Sequence, residues 1–402
     1  MGDKKMYKIE LVVGNDNGNN EHDIIINGEL ITQPNVFSKI RKLPNLDEVK
    51  KEYVIENIEK NLIVTCEDPN GIYYIGDYAL NSGQKIRNIE VGNDNNKIES
   101  DIVFVNTLAQ LAAYGVSNCL KENIDFDELV QIKVDMTTGL PVSYYNVKNS
   151  KEFADKFLSK KHFITVHVGT KSVRVEIEFT FVKVIPEGVT TTFAFKEIDD
   201  KIFEEYNTKH LDKKLNKDFF NDETKIMHIA IGEGTTEYPI TIGIEFDPNF
   251  ILGTNNGMGY AIDRSLEEFK QAKGLTKLSR QDYSNIIKNT SHKYNELAME
   301  IIDPYIEEEA EEILSNAKKE IQKANNDVDI VCVYGGGSIL MRKYIESKLE
   351  KFCERAEIKL LYVPKEFAVK LEAQGLYNFT KGEIFKLLKN NYIKNKKDKK
   401  II

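Results

Sequence analysis

Two stretches far apart in the chain are written to one pattern. Tyr7–Gly28 (YKIELVVGNDNGNNEHDIIING) and Ile226–Phe246 (IMHIAIGEGTTEYPITIGIEF) each run apolar strand, glycine-bearing turn, apolar strand. A chain that restarts the same hairpin in its second half, with helical patterns after each copy, is constrained towards two α/β lobes of related architecture. Its 402 residues suffice for two or three domains, or for one fold split into lobes. The likeness is of pattern; the halves share no useful identity. A third glycine run, DIVCVYGGGSILMRKYI (Asp329–Ile345), joins a short apolar strand to an amphipathic helix.

Glycines after a strand let backbone N–H groups approach an anion with no Cβ in the way, so each turn is a candidate phosphate cradle. In the first, Asp16 can orient a metal-bound water, because Mg²⁺ keeps its waters and is held through carboxylates and phosphate oxygens. The same letters also make an ordinary Asn-Gly hairpin. In the second, Gly232 and Gly234 free the backbone while the Thr235 and Thr236 hydroxyls can donate to phosphate oxygens. A plain hairpin gives no reason for Gly-x-Gly-Thr-Thr followed by an acid. The third, Gly335-Gly336-Gly337-Ser338, adds the free N–H groups and partial positive charge of a helix N-terminus. It fits neither GxxxxGK[ST] nor GxGxxG, and a tight strand–helix corner needs the same glycines.

Ile102–Leu120 is apolar enough for a buried helix. Val130–Val134 reads as a strand stopped by Gly-Leu-Pro, and GIYYIGDYAL as a strand running into a glycine turn. His162–Gly188 reads as two strands joined at Gly169-Thr170. The highly charged Lys196–Thr224 reads as a surface excursion. Helical segments are expected at Asp263–Ala272, Ser279–Lys288 and about Lys293–Ala324, and the basic end from Asn391 is expected to fray.

The net charge of −9 argues against a general electrostatic grip on nucleic acid or anionic membrane, leaving DNA contact indirect or local. Four cysteines without CxxC spacing read as reduced, buried side chains. The six histidines show no metal-ligand spacing, and His22, His162 and His228 read as surface or packing residues. The N-terminal strand is too short and too acidic for a secretory signal. No run approaches the roughly 20 apolar residues that span a bilayer, so a cytoplasmic protein without membrane contact is expected.

The combination is more specific than its parts. One hairpin phosphate loop per lobe plus a triple-glycine corner resembles the actin, sugar-kinase and heat-shock chaperone ATPase superfamily, over about residues 8–378. In its order, Asn15–Asn20 resembles phosphate loop one, Ile102–Leu120 a connecting helix and Gly232–Glu237 loop two. Gly257–Phe269 resembles the second connecting segment and Gly335–Ser338 the adenosine loop. TTGLPVSYY, VKVIPEGVTTTFAF, GIYYIGDYAL and FAVKLEAQGLYNF bring the chain closer to bacterial actin-like proteins of the ParM type, which segregate plasmids.

The resemblance implies an actin-like α/β fold, with two lobes, each a mixed sheet flanked by helices, and nucleotide in the cleft between them. Lobe I would span 1–185, with a smaller subdomain near 31–100, completed by 365–402; lobe II would span 186–364, with a subdomain near 246–325. It implies ATP, or GTP, with Mg²⁺. Nucleotide contacts would come from Asn15, Asp16, Asn17, Gly18 and Asn19, from Gly232, Glu233, Gly234, Thr235 and Thr236, and from Glu268, Gly335, Gly336, Gly337 and Ser338. Glu187 would align the attacking water, although Pro-Glu-Gly also simply closes a strand. Asp16 would serve beside it as the acid near the metal, through water. The family's behaviour further implies hydrolysis coupled to self-assembly into a helical filament, and a small DNA-binding adaptor on a plasmid centromere.

Two departures weaken the expected hydrolysis. Ala230 stands where the loop-two acid is usual, with Glu233 or Glu237 as candidate replacements to orient metal-bound water. Asp23 stands where actins often carry a phosphate-binding lysine. A nucleotide-binding structural polymer with little turnover therefore stays open, as does a small-molecule kinase of the superfamily, although no sugar-kinase signature is present. A chaperone-like ATPase is disfavoured, since little sequence follows the adenosine loop.

Overall fold

The computed structural model describes residues 6–45, 56–89, 97–122 and 129–398. Ten of its strands form one sheet: β1 (Met6–Asn17), β2 (Glu21–Ile26), β3 (Glu29–Pro34), β4 (Val36–Ile40), β5 (Ile63–Cys66), β6 (Gly71–Ile75), β7 (Arg87–Asn88), β8 (Leu129–Leu140), β9 (His162–Val168) and β10 (Lys171–Pro186). Their order is β3-β2-β1-β8-β10-β9-β5-β6-β4-β7, with β1, β8 and β10 mutually parallel at the centre. A second sheet of seven follows: β11 (Lys225–Ile231), β12 (Thr236–Glu237), β13 (Ile240–Ile242), β14 (Glu245–Phe246), β15 (Gly253–Thr254), β16 (Ile330–Tyr334) and β17 (Lys359–Tyr362). Here β11, β16 and β17 are parallel. Buried on both faces, β16 is the unbroken run IVCVY rather than an alternating one.

The longer helices are α1 (Asp101–Lys121), α2 (Val147–Leu158), α3 (Met258–Lys273), α4 (Arg280–Lys288), α5 (Asn295–Lys323), α6 (Gly336–Arg355), α7 (Leu371–Lys381) and α8 (Glu383–Asp398). Ser100 caps α1, its hydroxyl accepting from the Ile102 amide at 3.2 Å. Contrary to the expectation that no segment is long and apolar enough, α1 could cross a membrane by length and composition; 89% of its apolar window is buried, and it packs in the core of the first sheet.

β1 runs between α1 and α7. Strand period two sends Asn15 and Asn17 towards α1 and puts Gly14 and Asp16 on the other face. Both asparagine amides donate to the Thr107 hydroxyl at 3.2 Å. A Cβ on Gly14 would lie 2.3 Å from the Tyr377 amide nitrogen, so α7 seats there against bare backbone. The same helix meets the crossover between the sheets at Gly375, where a Cβ would lie 2.1 Å from the Thr190 carbonyl oxygen.

Several local expectations change. Lys196–Thr224 is not a solvated excursion: Ile202, Phe203, Tyr206, Leu215 and Phe220 are buried against Ile226, Ile330, Cys332 and Leu361, covering one face of the second sheet. Its charges lie outside while aromatic residues on short helical pieces anchor it. Gly76, at φ +54, opens a short helix to Asn81 rather than a simple turn. α3 starts five residues earlier than the apolar period indicates, and the basic end is helical to Asp398. All four cysteines are free and buried, and His22, His162 and His228 are interior.

Candidate functional site

Parallel pairing brings like ends together. β1, β8 and β10 finish side by side, with Asn15 opposite Thr138 and Pro186 opposite Leu140. Loop one therefore leaves the sheet beside the Pro186-Glu187-Gly188 turn. In the second sheet Ala230 pairs with Tyr334, so loop two and the triple glycine leave at one edge. The carboxyl ends of parallel strands are the usual place for ligands in α/β sheets.

The three glycines of the corner differ. Gly335 has φ +94, and a Cβ there would stand 2.4 Å from the Ile231 carbonyl oxygen. A Cβ on Gly337 would come within 2.6 Å of Ile231 Cγ2 and 2.9 Å of the Gly232 carbonyl oxygen. Gly336 has nothing within 4 Å among the described residues. Two of the glycines let the corner close on loop two; the middle one faces open space. The Ser338 hydroxyl donates to the Gly335 carbonyl at 2.7 Å.

Loop two is tied to α3. The Gly232 amide donates to the Thr235 carbonyl at 2.9 Å, while the Gly232 and Glu233 carbonyls accept from Met258 and Gly259 at 3.2 and 2.8 Å. The Thr236 hydroxyl is buried and donates to the Asn256 carbonyl at 2.7 Å, which leaves Thr235 as the half-buried hydroxyl of the loop. Glu233 pairs with Arg280, which also holds Asp263 at 2.5 Å. Burial raises the Glu233 carboxyl and Arg280 opposes it. Glu268 is exposed on α3 and accepts from the Tyr305 hydroxyl at 3.1 Å.

In loop one, the Gly18 carbonyl accepts from Asn35 at 2.7 Å, and Asn19 is buried. Asn15 Oδ1 accepts from His22 Nε2 at 2.7 Å, so its side chain and that of Asn17 serve the interior, beneath the loop. The loop also reaches α4: Asn20 donates to Ser284 at 3.3 Å and Lys288 to Glu21 at 2.8 Å. Arg280, Ser284 and Lys288, four residues apart on one helical face, thus touch loop two and loop one in turn.

Around Asp16 lies a group of charges from distant parts of the chain. The Lys97 ammonium donates to Glu187 Oε1 at 2.5 Å, and the lysine is only 4% exposed. Glu187 folds over Gly139, where a Cβ would stand 2.9 Å from its Cγ. Burial pushes the Asp16 carboxyl up to about 7, Lys97 pulling it down and Glu187 up. Asp23, directly across the strand pair from Asp16, is likewise raised to about 7 by burial. Glu237 pairs with Ala230 across β11–β12, so the two side chains share a face. No hydrogen bond of good geometry reaches either Glu237 oxygen among the described residues, although the Thr235 hydroxyl and the Val142 backbone act on the carboxylate. Burial, then Glu187, pushes its carboxyl up to about 8. Glu372 accepts from the Gly188 amide at 3.1 Å and from the Thr190 hydroxyl, and burial raises it to about 8.

Lys97, Glu372 and Arg280 are absent from the sequence-based set. Lys97 sits in an Asn-rich stretch with no periodicity or motif, so no local signal marks it. Glu372 lay inside FAVKLEAQGLYNF, a segment read for its resemblance alone.

Residues 14–189 match the family model for the N-terminal domain of actin-like proteins. No curated protein matches the sequence. Among solved structures, the actin-like protein Alp7A superposes with a TM-score of 0.63 at 16% identity, over 98% of this chain and 99% of that one. An archaeal actin homolog gives 0.62 at 18% identity, over 92% and 98%. ParM of Bacillus thuringiensis, solved with ATP, gives 0.58 at 15% identity, over 94% and 99%. The chain as a whole therefore has the actin-like fold, with Alp7A and ParM among its structural neighbours, and its residues 14–189 are similar to the N-terminal domain of actin-like proteins.

Proposed function

We propose that this protein binds ATP, or GTP in its place, with Mg²⁺ between lobe I (1–185 with 365–402) and lobe II (186–364), and polymerises on it as a ParM-type filament. The observation that carries this reading is a convergence: loop one, loop two, the triple glycine, Asp16 and Glu187 all lie at the carboxyl ends of parallel strands. The open space at Gly336 and the Glu237 carboxylate, which lacks a hydrogen bond of good geometry, fit a nucleotide and its metal. Asp16 and Glu237 would hold Mg²⁺ through water, and the ion would supply neutralising charge to the phosphate oxygens. Glu237 is preferred over Glu233 because Glu233 is paired with Arg280, whereas Glu237 shares the face of Ala230, where the acid is missing.

Glu187 orients water for in-line attack on the γ-phosphorus, and turn N–H groups stabilise the charge that develops. Nucleotide shifts the lobes towards closure only by binding the closed form more tightly; loss of the γ-phosphate removes that preference. Head-to-tail contacts that do not close into a ring then generate a helical strand. A small DNA-binding adaptor would couple that strand to a plasmid, in keeping with the net charge of −9.

Phosphate release recorded beside light scattering tests this. ATP with Mg²⁺ should give polymer, and Glu187→Ala should slow release by about 10²–10⁴-fold while polymers persist longer. Unchanged release would remove Glu187 from its role. A second reading, a nucleotide-binding polymer with little turnover, is favoured by Ala230 and by the engagement of Glu233 with Arg280; it predicts polymer with negligible release from the unaltered protein.

A further inference from the structure

The position at which a cation is expected in loop one carries Asp23, whose side chain lies directly across from Asp16. Asp23 and half-buried Asp16, with Glu187, Glu237 and Glu372 nearby, offer a triphosphate no positive charge. Yet the group is not without positive charge. Lys97 enters from the segment before α1 and is buried against Glu187, with Asp16 and Glu237 also within its electrostatic reach. Residues 98–100 are anchored: Ile98 is in the core, and the Lys156 ammonium on α2 donates to the Ile98 and Ser100 carbonyls at 2.8 and 3.2 Å. Among the described residues, half-buried Arg280 beside loop two is engaged through Nη1 by Glu233 and through Nε by Asp263, and its Nη2 has no partner.

The geometry points to Lys97 as the residue that recognises the terminal phosphate of a nucleoside triphosphate, by exchanging its bond to Glu187 for one to that phosphate. The inference rests on the nucleotide-binding reading above and deepens it. Without ligand, Lys97 neutralises Glu187, and the carboxylate that would orient water is occupied. A terminal phosphate oxygen is the stronger partner, because it carries more charge and arrives with several acceptor oxygens. Its arrival takes the lysine and frees Glu187 for the water. A diphosphate, lacking that group, leaves the Lys97–Glu187 pair intact. The pair therefore both senses the triphosphate and keeps Glu187 engaged when only diphosphate is present. The lysine missing from loop one is in this way supplied from another part of the chain.

The experiment uses the full chain, with fluorescent ADP and a non-hydrolysable ATP analogue titrated in the presence of Mg²⁺. Lys97→Met should weaken the ATP analogue by about 10–100-fold, the worth of a charge-assisted hydrogen bond, and ADP by less than about 3-fold. Lys97→Arg should recover much of the loss. Glu187→Gln removes the competitor for Lys97, so it should tighten the ATP analogue by about 3–10-fold without moving ADP. Should Lys97→Met fail to fold because Glu187 is left buried and unpaired, the double variant Lys97→Met/Glu187→Gln removes both charges and should still discriminate poorly between the two nucleotides. Equal weakening of both nucleotides by Lys97→Met, or weaker ATP-analogue binding by Glu187→Gln, would overturn the exchange and leave Lys97 a structural clamp. If the unaltered protein bound neither nucleotide, the nucleotide-binding reading itself would fall, which is a different result from loss of discrimination.

Discussion

Three consecutive glycines invite one explanation, but the structure gives each its own, and alanine substitution separates them. At Gly335 an alanine meets a left-handed backbone at φ +94 and a carbonyl oxygen 2.4 Å from its Cβ. Strain of about 1–3 kcal/mol and a clash of similar size give a loss of about 2–5 kcal/mol. Gly337→Ala gains up to about 1 kcal/mol of helix propensity but presses on Ile231 and the Gly232 carbonyl, so a net loss of about 0–2 kcal/mol follows. At Gly336 the Cβ meets nothing within 4 Å and opens α6, so alanine should be neutral or stabilise by up to about 1 kcal/mol. Gly336→Val keeps the fold but fills the space proposed for nucleotide, and should weaken binding by at least about tenfold. Denaturant unfolding of the four variants gives the stability order, and nucleotide titration separates Gly336→Val from the rest. If Gly336→Ala were as damaging as Gly335→Ala, the open position would not exist. Full affinity in a stably folded Gly336→Val would refute the assignment of that space to nucleotide.

Other perturbations follow from named contacts. Gly375→Ala drives a methyl into the Thr190 carbonyl at the crossover between the two sheets and should cost about 1–3 kcal/mol by chemical denaturation despite its better helix propensity. Phe203→Ala, in the segment 196–224, should cost about 3–5 kcal/mol; an effect below 1 kcal/mol would return that segment to a solvated excursion. Ala230→Asp places an acid directly opposite buried Glu237 and should destabilise the protein, whereas Ala230→Asp with Glu237→Ala should be tolerated and retain phosphate release. In nucleotide-free protein with chelator, burial raises Asp23 to about 7 and Glu372 to about 8, and lowers His22 and His228 to about 3. The folded carboxyls keep protons that the unfolded chain releases near pH 4, so their contribution to stability falls from about pH 4 and is gone above 7–8. The histidines are held neutral, so their contribution is lost as pH falls below about 6.5. The two effects oppose each other below about pH 6.5, so Tm should decline between about pH 6.5 and 8; a Tm rising across that interval would contradict the carboxyl shifts.

What could be read in the sequence was whatever is local. Each glycine turn lies within a dozen residues, and the strand alternation that turns Asn15 and Asn17 from Asp16 is likewise written in a single segment. Local reading ends where partners come from elsewhere. Lys97 acquires meaning only because its neighbours Ile98–Ser100 are pinned by Lys156 on α2 and it meets Glu187 from the turn after β10. Whether Glu233 or Glu237 answers the missing acid at Ala230 depends on register across β11–β12 and on Arg280 from α4. The segment 196–224 misleads because its charges outnumber its anchors, although Phe203 and Phe220 decide where it sits.

Calorimetric titration of the unaltered chain with ATP and Mg²⁺ examines the central claim most directly. Lobes that close on a triphosphate predict saturable one-to-one binding, abolished or weakened at least about tenfold by Gly336→Val, which leaves the fold intact. Absence of binding heat, or binding indifferent to that substitution in a folded variant, would contradict it.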